Sequence, residues 1–174
     1  MKNILLIGCG HMGGSLMSGW SNSKNYTISV IDKKKYAILK KRNRNKKIKF
    51  FKSIDDINNQ NKFDYIIFAT RPIELINVFK ELKNSNFNKK SIAISVIAGK
   101  KTEIFKKNLL NISKIVRVMP NMPALIGEGV HCIYTNKSIN KKEIKEIDKL
   151  FSLSGKTLFF NTETFIDKAT AVSG

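Results

Sequence analysis

The sequence predicts an α/β fold, a doubly wound and mostly parallel sheet with helices on both faces. Two observations carry this. Apolar runs of four to seven residues alternate along the chain with stretches of helical period. The 174 residues are enough for one domain with a real core, and 42% of them are hydrophobic, an ordinary globular share. No internal repeat and no Pro/Gly/Ser-rich linker interrupts the alternation.

The elements follow in order. Residues 3–7 read as a buried first strand, and Met12, Leu16 and Trp20 recur on one helix face. Residues 27–31 form the second strand, and residues 49–52 a weaker third. Ser53-x-x-Asp56 then has the form of a capping box. Residues 65–69 are the fourth strand. Pro72 stands where a helix begins, with Leu75, Val78, Phe79 and Leu82 as its apolar stripe. Residues 91–96 are the fifth strand, and Thr102 is placed to cap a short helix holding Ile104 and Phe105. Residues 115–119 are the sixth. Pro120 cannot donate to a ladder, so that strand is expected to stop near Met119. Residues 129–134 form a further short strand, Ile144, Ile147, Leu150 and Phe151 mark an amphipathic helix, and residues 157–160 are the last strand. The Lys/Asn-rich stretches 40–47 and 83–90 read as surface loops. After residue 160 a new pattern starts, with Thr162-Glu163 opening a helix whose apolar face is Phe165, Ile166 and Ala169. The expected division is residues 1–160 as one domain and 161–174 as the first part of another.

Composition narrows the function. No apolar run approaches the roughly 18 residues of a membrane helix. The N-terminus lacks a signal-peptide layout, and there are only two cysteines, Cys9 and Cys132, so the chain is read as cytoplasmic. The formal net charge of +19 raises nucleic acid as a partner. The basic residues are nearly all lysines, scattered in short clusters, and Arg occurs only at positions 42, 44, 71 and 117. Solvated lysine faces are the better reading, and nucleic acid is disfavoured. Such a field still steers anionic ligands such as nucleotides.

Gly8-Cys9-Gly10-His11-Met12-Gly13 is a G-x-G-x-x-G run between a predicted strand and a predicted helix, and Asp32 ends the second strand 19 residues beyond Gly13. That context makes it a dinucleotide fingerprint rather than a glycine-rich turn without a ligand. Gly8 allows the tight turn, Gly10 lets a pyrophosphate approach the backbone, and Gly13 lets the helix pack closely. The helix N-terminus offers free N–H groups to the phosphates. Asp32 is suited to a ribose 2′-OH and favours NADH. Lys33, Lys34 and Lys35 are suited to a 2′-phosphate and keep NADPH close behind.

Other strand ends are candidates. Ala69-Thr70-Arg71-Pro72 follows the fourth strand, where its backbone would lie beside a cofactor and Arg71 would meet a phosphate, a carboxylate or only solvent. Val96-Ile97-Ala98-Gly99 ends the fifth with small residues that permit close approach of a flat ring. Arg117–Gly129 places Asn121 between Pro120 and Pro123, a stiff loop at a strand end, where open α/β sheets bind ligands. No metal site is expected, since His11 and His131 have no Cys/His cluster around them. Ser95 has no His/Asp relay, so nucleophilic catalysis is disfavoured. Hydride transfer needs only a held cofactor and a positioned electrophile.

Together these segments resemble pyrroline-5-carboxylate reductase. Residues 117–129 look like that family's Arg-Val-Met-Pro-Asn-Thr-Pro-Ala-Leu-Val-Gly-Glu-Gly almost residue for residue. The turn at Ala69–Pro72 resembles Ala-Val-Lys-Pro, and Glu163, Asp167 and residues 170–174 match the lead into Ser-Gly-Ser-Gly-Pro-Ala-Tyr. The resemblance implies a Rossmann-like cofactor domain that reduces 1-pyrroline-5-carboxylate to L-proline with NAD(P)H in proline biosynthesis. It implies that Gly8 to Gly13 hold the pyrophosphate, that Ala69 to Pro72 and Val96 to Ala98 line the cofactor, and that Met119 to Pro123 shape the nicotinamide end. Glu163 would lie near the substrate side. It also implies a homo-oligomer in the full-length family and residues 161–174 as the start of an all-helical dimerisation and substrate domain. Further catalytic groups are expected beyond Gly174, so the chain is expected to bind dinucleotide and to reduce the imine poorly or not at all. Arg71 departs from the usual Lys and Met122 from the usual Thr. The rival readings are another NAD(P)-dependent reductase of the 6-phosphogluconate-dehydrogenase-like type and a cofactor-binding fragment without activity.

Overall fold

The computed structural model describes residues 1–121 and 128–167. Its strands are β1 (Lys2–Ile7), β2 (Tyr26–Ile31), β3 (Ile48–Phe51), β4 (Tyr65–Phe68), β5 (Ile92–Ser95), β6 (Lys114–Pro120), β7 (Gly129–Thr135) and β8 (Gly155–Phe160). Its helices are α1 (His11–Ser21), α2 (Tyr36–Arg42), α3 (Leu75–Glu81), α4 (Thr102–Asn108) and α5 (Lys141–Phe151). All eight strands form one sheet in the order β3-β2-β1-β4-β5-β6-β7-β8. The first six run parallel, β7 is antiparallel to β6, and β8 is parallel to β7. The mostly parallel, doubly wound α/β sheet is therefore as the sequence predicts.

Both faces of the central strands are buried. In β1, Ile4 and Leu6 join one core with Leu16 and Trp20 of α1 and with Ile147, Leu150 and Phe151 of α5. Leu5 and Ile7 point the other way, into a second core with Phe79 of α3 and Phe105 of α4. A parallel strand covered on both sides must be apolar throughout, and this explains the short unbroken apolar runs. Each core has an aromatic anchor. Trp20 lies edge-on to Phe151 with centroids 6.0 Å apart and donates through Nε1 to Leu150 O at 3.0 Å. Phe68, Phe79 and Phe105 form a trio with centroids 5.1–6.0 Å apart.

Several local expectations need correction. Helix α2 covers part of the stretch read as a loop. It has no fully buried residue, so no apolar stripe marks it in sequence. Ser53-x-x-Asp56 caps no helix: Asp56 Oδ2 accepts the Lys52 and Ser53 N–H groups, each at 3.0 Å, and closes a turn. The capping box of this chain is Asn140-x-x-Glu143, at the start of α5. Pro72 lies in the turn before α3, which begins at Leu75. Strand β6 runs through Pro120 as its last residue, opposite His131. Ala169 and Met122 to Gly127 lie outside the described residues.

His131 gives the fold a pH dependence. It is fully buried, edge-on to Phe151, with Nε2 at 2.9 Å from Ser154 Oγ. Ser154 gives its one proton to Phe151 O at 3.1 Å, so the imidazole donates through Nε2 and Nδ1 is left bare. Nδ1 has no partner among the described residues. A second proton would sit there with no acceptor, and burial pushes the imidazole below its ordinary value. The unfolded chain then binds the extra proton first. Stability should be complete above about pH 6.5 and should decline as pH falls below it, by at most about 1.4 kcal/mol per unit. Thermal melts at pH 7.5 and 5.5 should separate by several degrees more in the native chain than in His131→Leu. Equal separations would show that His131 does not carry the effect.

Candidate functional site

The sheet changes winding direction at β1. Strands β2 and β3 lie on one side of it and β4 to β6 on the other. Gly8 N–H still donates to Ile31 O, and Ala69 N–H to Ile7 O, both at 2.8 Å. Beyond these bonds the β1 and β4 connections part, and a cleft of about 770 Å³ opens at the carboxyl ends of the strands. This is where open α/β sheets bind nucleotides.

The glycine turn is built as its spacing requires. Gly8 has φ +93°, and a Cβ there would stand 2.8 Å from Ala69 O. A Cβ on Gly13 would stand 2.3 Å from Gly8 O and 3.2 Å from Ala69 Cβ, so only glycine lets α1 pack this close. A Cβ on Gly10 would meet nothing within 4 Å, and Gly10 lines the cleft. Gly10 is the N-cap of the 11-residue α1, with no side-chain cap and no acidic residue in the first turn. The leading N–H groups of α1 are thus left for an anion.

Asp32 locks this turn in place. Its Oδ2 accepts the Cys9 N–H at 2.8 Å and its Oδ1 the Lys35 N–H at 2.9 Å. Cys9 itself faces the core beside Leu16. Burial, and then the Asp32 charge, pushes its thiol up to about 11, so it is no nucleophile near neutrality. Lys33, Lys34, Lys35, Lys52 and Arg71 give the cleft a basic rim. Glu74 answers part of that charge, bonded to Lys34 at 2.7 Å and to Arg71 at 2.6 Å. These two bonds hold its carboxyl down to about 2. Thr70 Oγ1 is buried without a hydrogen-bond partner among the described residues, and Thr70 lines the cleft.

Of the residues expected at the site, Gly8, Gly10, His11, Asp32, Lys33, Ala69, Thr70 and Arg71 line the cleft. Cys9, Met12, Gly13 and Pro72 belong to the same turns but lie outside the lining. So do Val96, Ile97, Ala98 and Asn121. Val96 and Ile97 are buried in opposite cores, and Ala98 is exposed beside Gly99, which has φ +68°. Asn121 Oδ1 accepts the Val130 N–H at 2.8 Å and so joins the β6 end to β7. Glu163 accepts from Thr102 N at 2.7 Å and Thr102 Oγ1 at 2.9 Å, and pairs with Arg117 Nη1 at 3.3 Å. The cap of α4 is thus the Glu163 carboxylate, with Thr102 donating to it, and not the Thr102 hydroxyl. Residues 163–167 are helical.

Sequence reasoning missed Lys52 and Glu74. Glu74 was within reach, because Arg71 stands three residues before it at a helix entrance. Lys52 had no local signal. It reaches the cleft because β3 pairs with β2 in a register that sets Phe51 against Ile31.

The open Gly10 face, the uncapped α1 and the orphaned Thr70 hydroxyl fit a phosphate-bearing dinucleotide. Fold and cleft together define an NAD(P)-binding domain of an oxidoreductase. Residues 3–99 match the family described as NADP oxidoreductase, coenzyme F420-dependent, and the chain belongs to that family. Within it the chain corresponds to the amino-terminal NAD(P)-binding domain of pyrroline-5-carboxylate reductases. It is 30% identical to the pyrroline-5-carboxylate reductase of Haemophilus influenzae over 99% of this chain and 63% of the relative. The pyrroline carboxylate reductase of Plasmodium falciparum, solved with NADP bound, superposes with a TM-score of 0.77 at 25% identity, over 100% of this chain and 62% of that one. The enzyme of Coxiella burnetii superposes with a TM-score of 0.81 at 24% identity, over 99% and 64%. The chain therefore spans less than two thirds of the length of the relatives it matches. Among the described residues no helix is long and apolar enough to cross a membrane.

Proposed function

We propose that this chain is the cofactor-holding part of a reductase that converts 1-pyrroline-5-carboxylate to L-proline. Residues 1–160 form the dinucleotide domain, and 161–174 begin a helical domain for substrate binding and dimerisation. The reading rests above all on the glycine turn, which opens an uncapped α1 into a basic cleft of about 770 Å³. The names of the relatives supply the substrate.

NAD(P)H, when bound, supplies the hydride for the imine carbon. The chain's own residues hold and orient it. Gly8 to Gly13 and the first N–H groups of α1 take the pyrophosphate, with Cys9 and Met12 contributing backbone only. Asp32 and Lys33 meet the adenosine ribose, and Ala69 to Pro72 run along the cofactor. Val96 and Ile97 offer backbone and Ala98 close approach at the nicotinamide end, where Asn121 shapes the wall. Glu163 stands near the substrate side as a positioning group, since its carboxylate is engaged by Thr102 and Arg117.

Both cofactors are accepted on this reading. Each Asp32 oxygen takes one backbone N–H and keeps a lone pair for a ribose hydroxyl, which suits NADH. Those same bonds temper its repulsion of a 2′-phosphate, and the lysine rim suits NADPH. Titration of the purified chain with NADPH and NADH, followed by cofactor fluorescence, should give saturable binding of both. Dissociation constants of about 1 μM to 1 mM are expected, the span of ordinary enzyme Michaelis constants. No saturation by either within that range would sink the proposal.

A further inference from the structure

The cleft carries an anion of its own. A single oxygen of Glu74 receives both Lys34 and Arg71. Lys34 follows β2 and Arg71 follows β4, and these strands flank β1 on opposite sides. Two cations from opposite walls of the cleft therefore converge on one carboxylate. The Lys34 and Arg71 side chains are 73% and 68% exposed. Ion pairs this open to water add little net stability. The bridge is thus easily broken by a stronger anion, and the fold does not depend on it.

Resting on the reading of this cleft as a dinucleotide site, we infer that Glu74 is an internal competitor for the adenosine 2′-phosphate. It occupies the Lys34–Arg71 pair in the free chain and is displaced when NADPH binds, and so it sets the ratio of NADPH to NADH affinity. A phosphate monoester carries about −1.5 to −2 charges near neutral pH and three acceptor oxygens. Glu74 offers one charge and two oxygens, so the phosphate wins the pair but must first break both existing contacts. Arg71 supplies a planar fork and Lys34 a mobile point charge, and both bind phosphate well. NADH has no 2′-phosphate and leaves the bridge intact. The competitor is ionised at any assay pH, because Arg71 and Lys34 hold its carboxyl down to about 2. Lys33, Lys35 and Lys52 line the same cleft and add field without joining the bridge. Glu81 lines it as well and provides a control carboxylate.

The test compares NADPH and NADH affinities in the native chain, Glu74→Gln, Glu81→Gln and the double variant Lys34→Ala/Glu74→Gln. Thermal melts confirm folding of each, and Glu74 is exposed enough for Gln to be tolerated. Glu74→Gln should raise the NADPH-to-NADH affinity ratio roughly fivefold to tenfold at low ionic strength, the effect of one unit charge at contact distance near a wet surface. The gain should shrink as salt is added. Glu81→Gln should raise the ratio less than Glu74→Gln, because among the described residues Glu81 bridges neither Lys34 nor Arg71. The double variant should lose most of the gain. An unchanged ratio in Glu74→Gln, an equal shift for both cofactors, or the same gain in Glu81→Gln would each overturn the competitor role while leaving the cofactor site in place. Failure of the native chain to bind either dinucleotide would overturn the cofactor reading, and the competitor with it.

Discussion

Gly13→Ala should weaken dinucleotide binding at least tenfold and destabilise the chain by about 2–4 kcal/mol, in line with other overpacked or strained core sites. Alanine is the better helix former by about 1 kcal/mol, so propensity alone predicts the opposite sign. Geometry decides against it. The added Cβ would stand 2.3 Å from Gly8 O, well inside contact distance, and its neighbour is backbone, not a flexible side-chain tip. Ala69 Cβ at 3.2 Å closes the other direction of escape. Helix α1 must then move off the turn, and its leading N–H groups move with it. Gly14→Ala is the matched control, because a Cβ there meets only Cys9 Sγ at 4.0 Å. That variant should melt at or slightly above the native temperature and bind cofactor normally. NADPH titration and thermal melting of the two variants side by side provide the check. Native-like binding and melting in Gly13→Ala would show that α1 is not held against the turn as described.

The sequence made the sheet and the glycine turn legible because both rest on local rules. An apolar run such as Ile4 to Ile7 must be covered on both faces, and Gly8, Gly10 and Gly13 each meet a separate steric demand. What stayed hidden depends on contacts between distant segments. Helix α2 buries none of its residues fully and so leaves no periodic trace. Ser53-x-x-Asp56 and Asn140-x-x-Glu143 have similar spacing, yet only the second starts a helix. Four apolar residues, Ile144, Ile147, Leu150 and Phe151, follow Asn140 at helical intervals, whereas Ile54 and Ile57 are buried in a turn. The Glu74 bridge joins two loops brought together only by strand order. The sequence alone marks Thr102 as a local cap, but its partner is a carboxylate 61 residues away.

That carboxylate leads to the second large expected effect, at Arg117. Its side chain is 1% exposed, deep in β6 between Val116 and Val118, and it reaches Glu163 Oε1 at 3.3 Å and Asp167 Oδ1 at 2.7 Å. A buried guanidinium is strongly disfavoured unless paired, and here both partners come from the segment after β8. Arg117→Met should destabilise the chain by about 3 kcal/mol. This is the low end for breaking a buried pair, since Glu163 and Asp167 are 18% and 38% exposed and water can partly replace the cation. For a domain of this size that is a fall of roughly 6–12 °C in melting temperature. Arg117→Lys should fall between, because it keeps the charge but cannot fork to two carboxylates. Asp167→Asn should lose no more than about 1 kcal/mol, as expected for the more exposed arm. Glu163→Gln should lose more than Asp167→Asn, because the same group also caps α4 through Thr102. The order Arg117→Met, then Glu163→Gln, then Asp167→Asn distinguishes a shared ionic anchor from three independent surface contacts, which would give three small and similar losses. Anchored in this way, residues 163–167 are fixed against the turn that joins β5 to α4, and that turn carries the exposed Ala98 and Gly99. On the proposed reading of that turn as part of the nicotinamide end, loosening the anchor should also weaken cofactor binding.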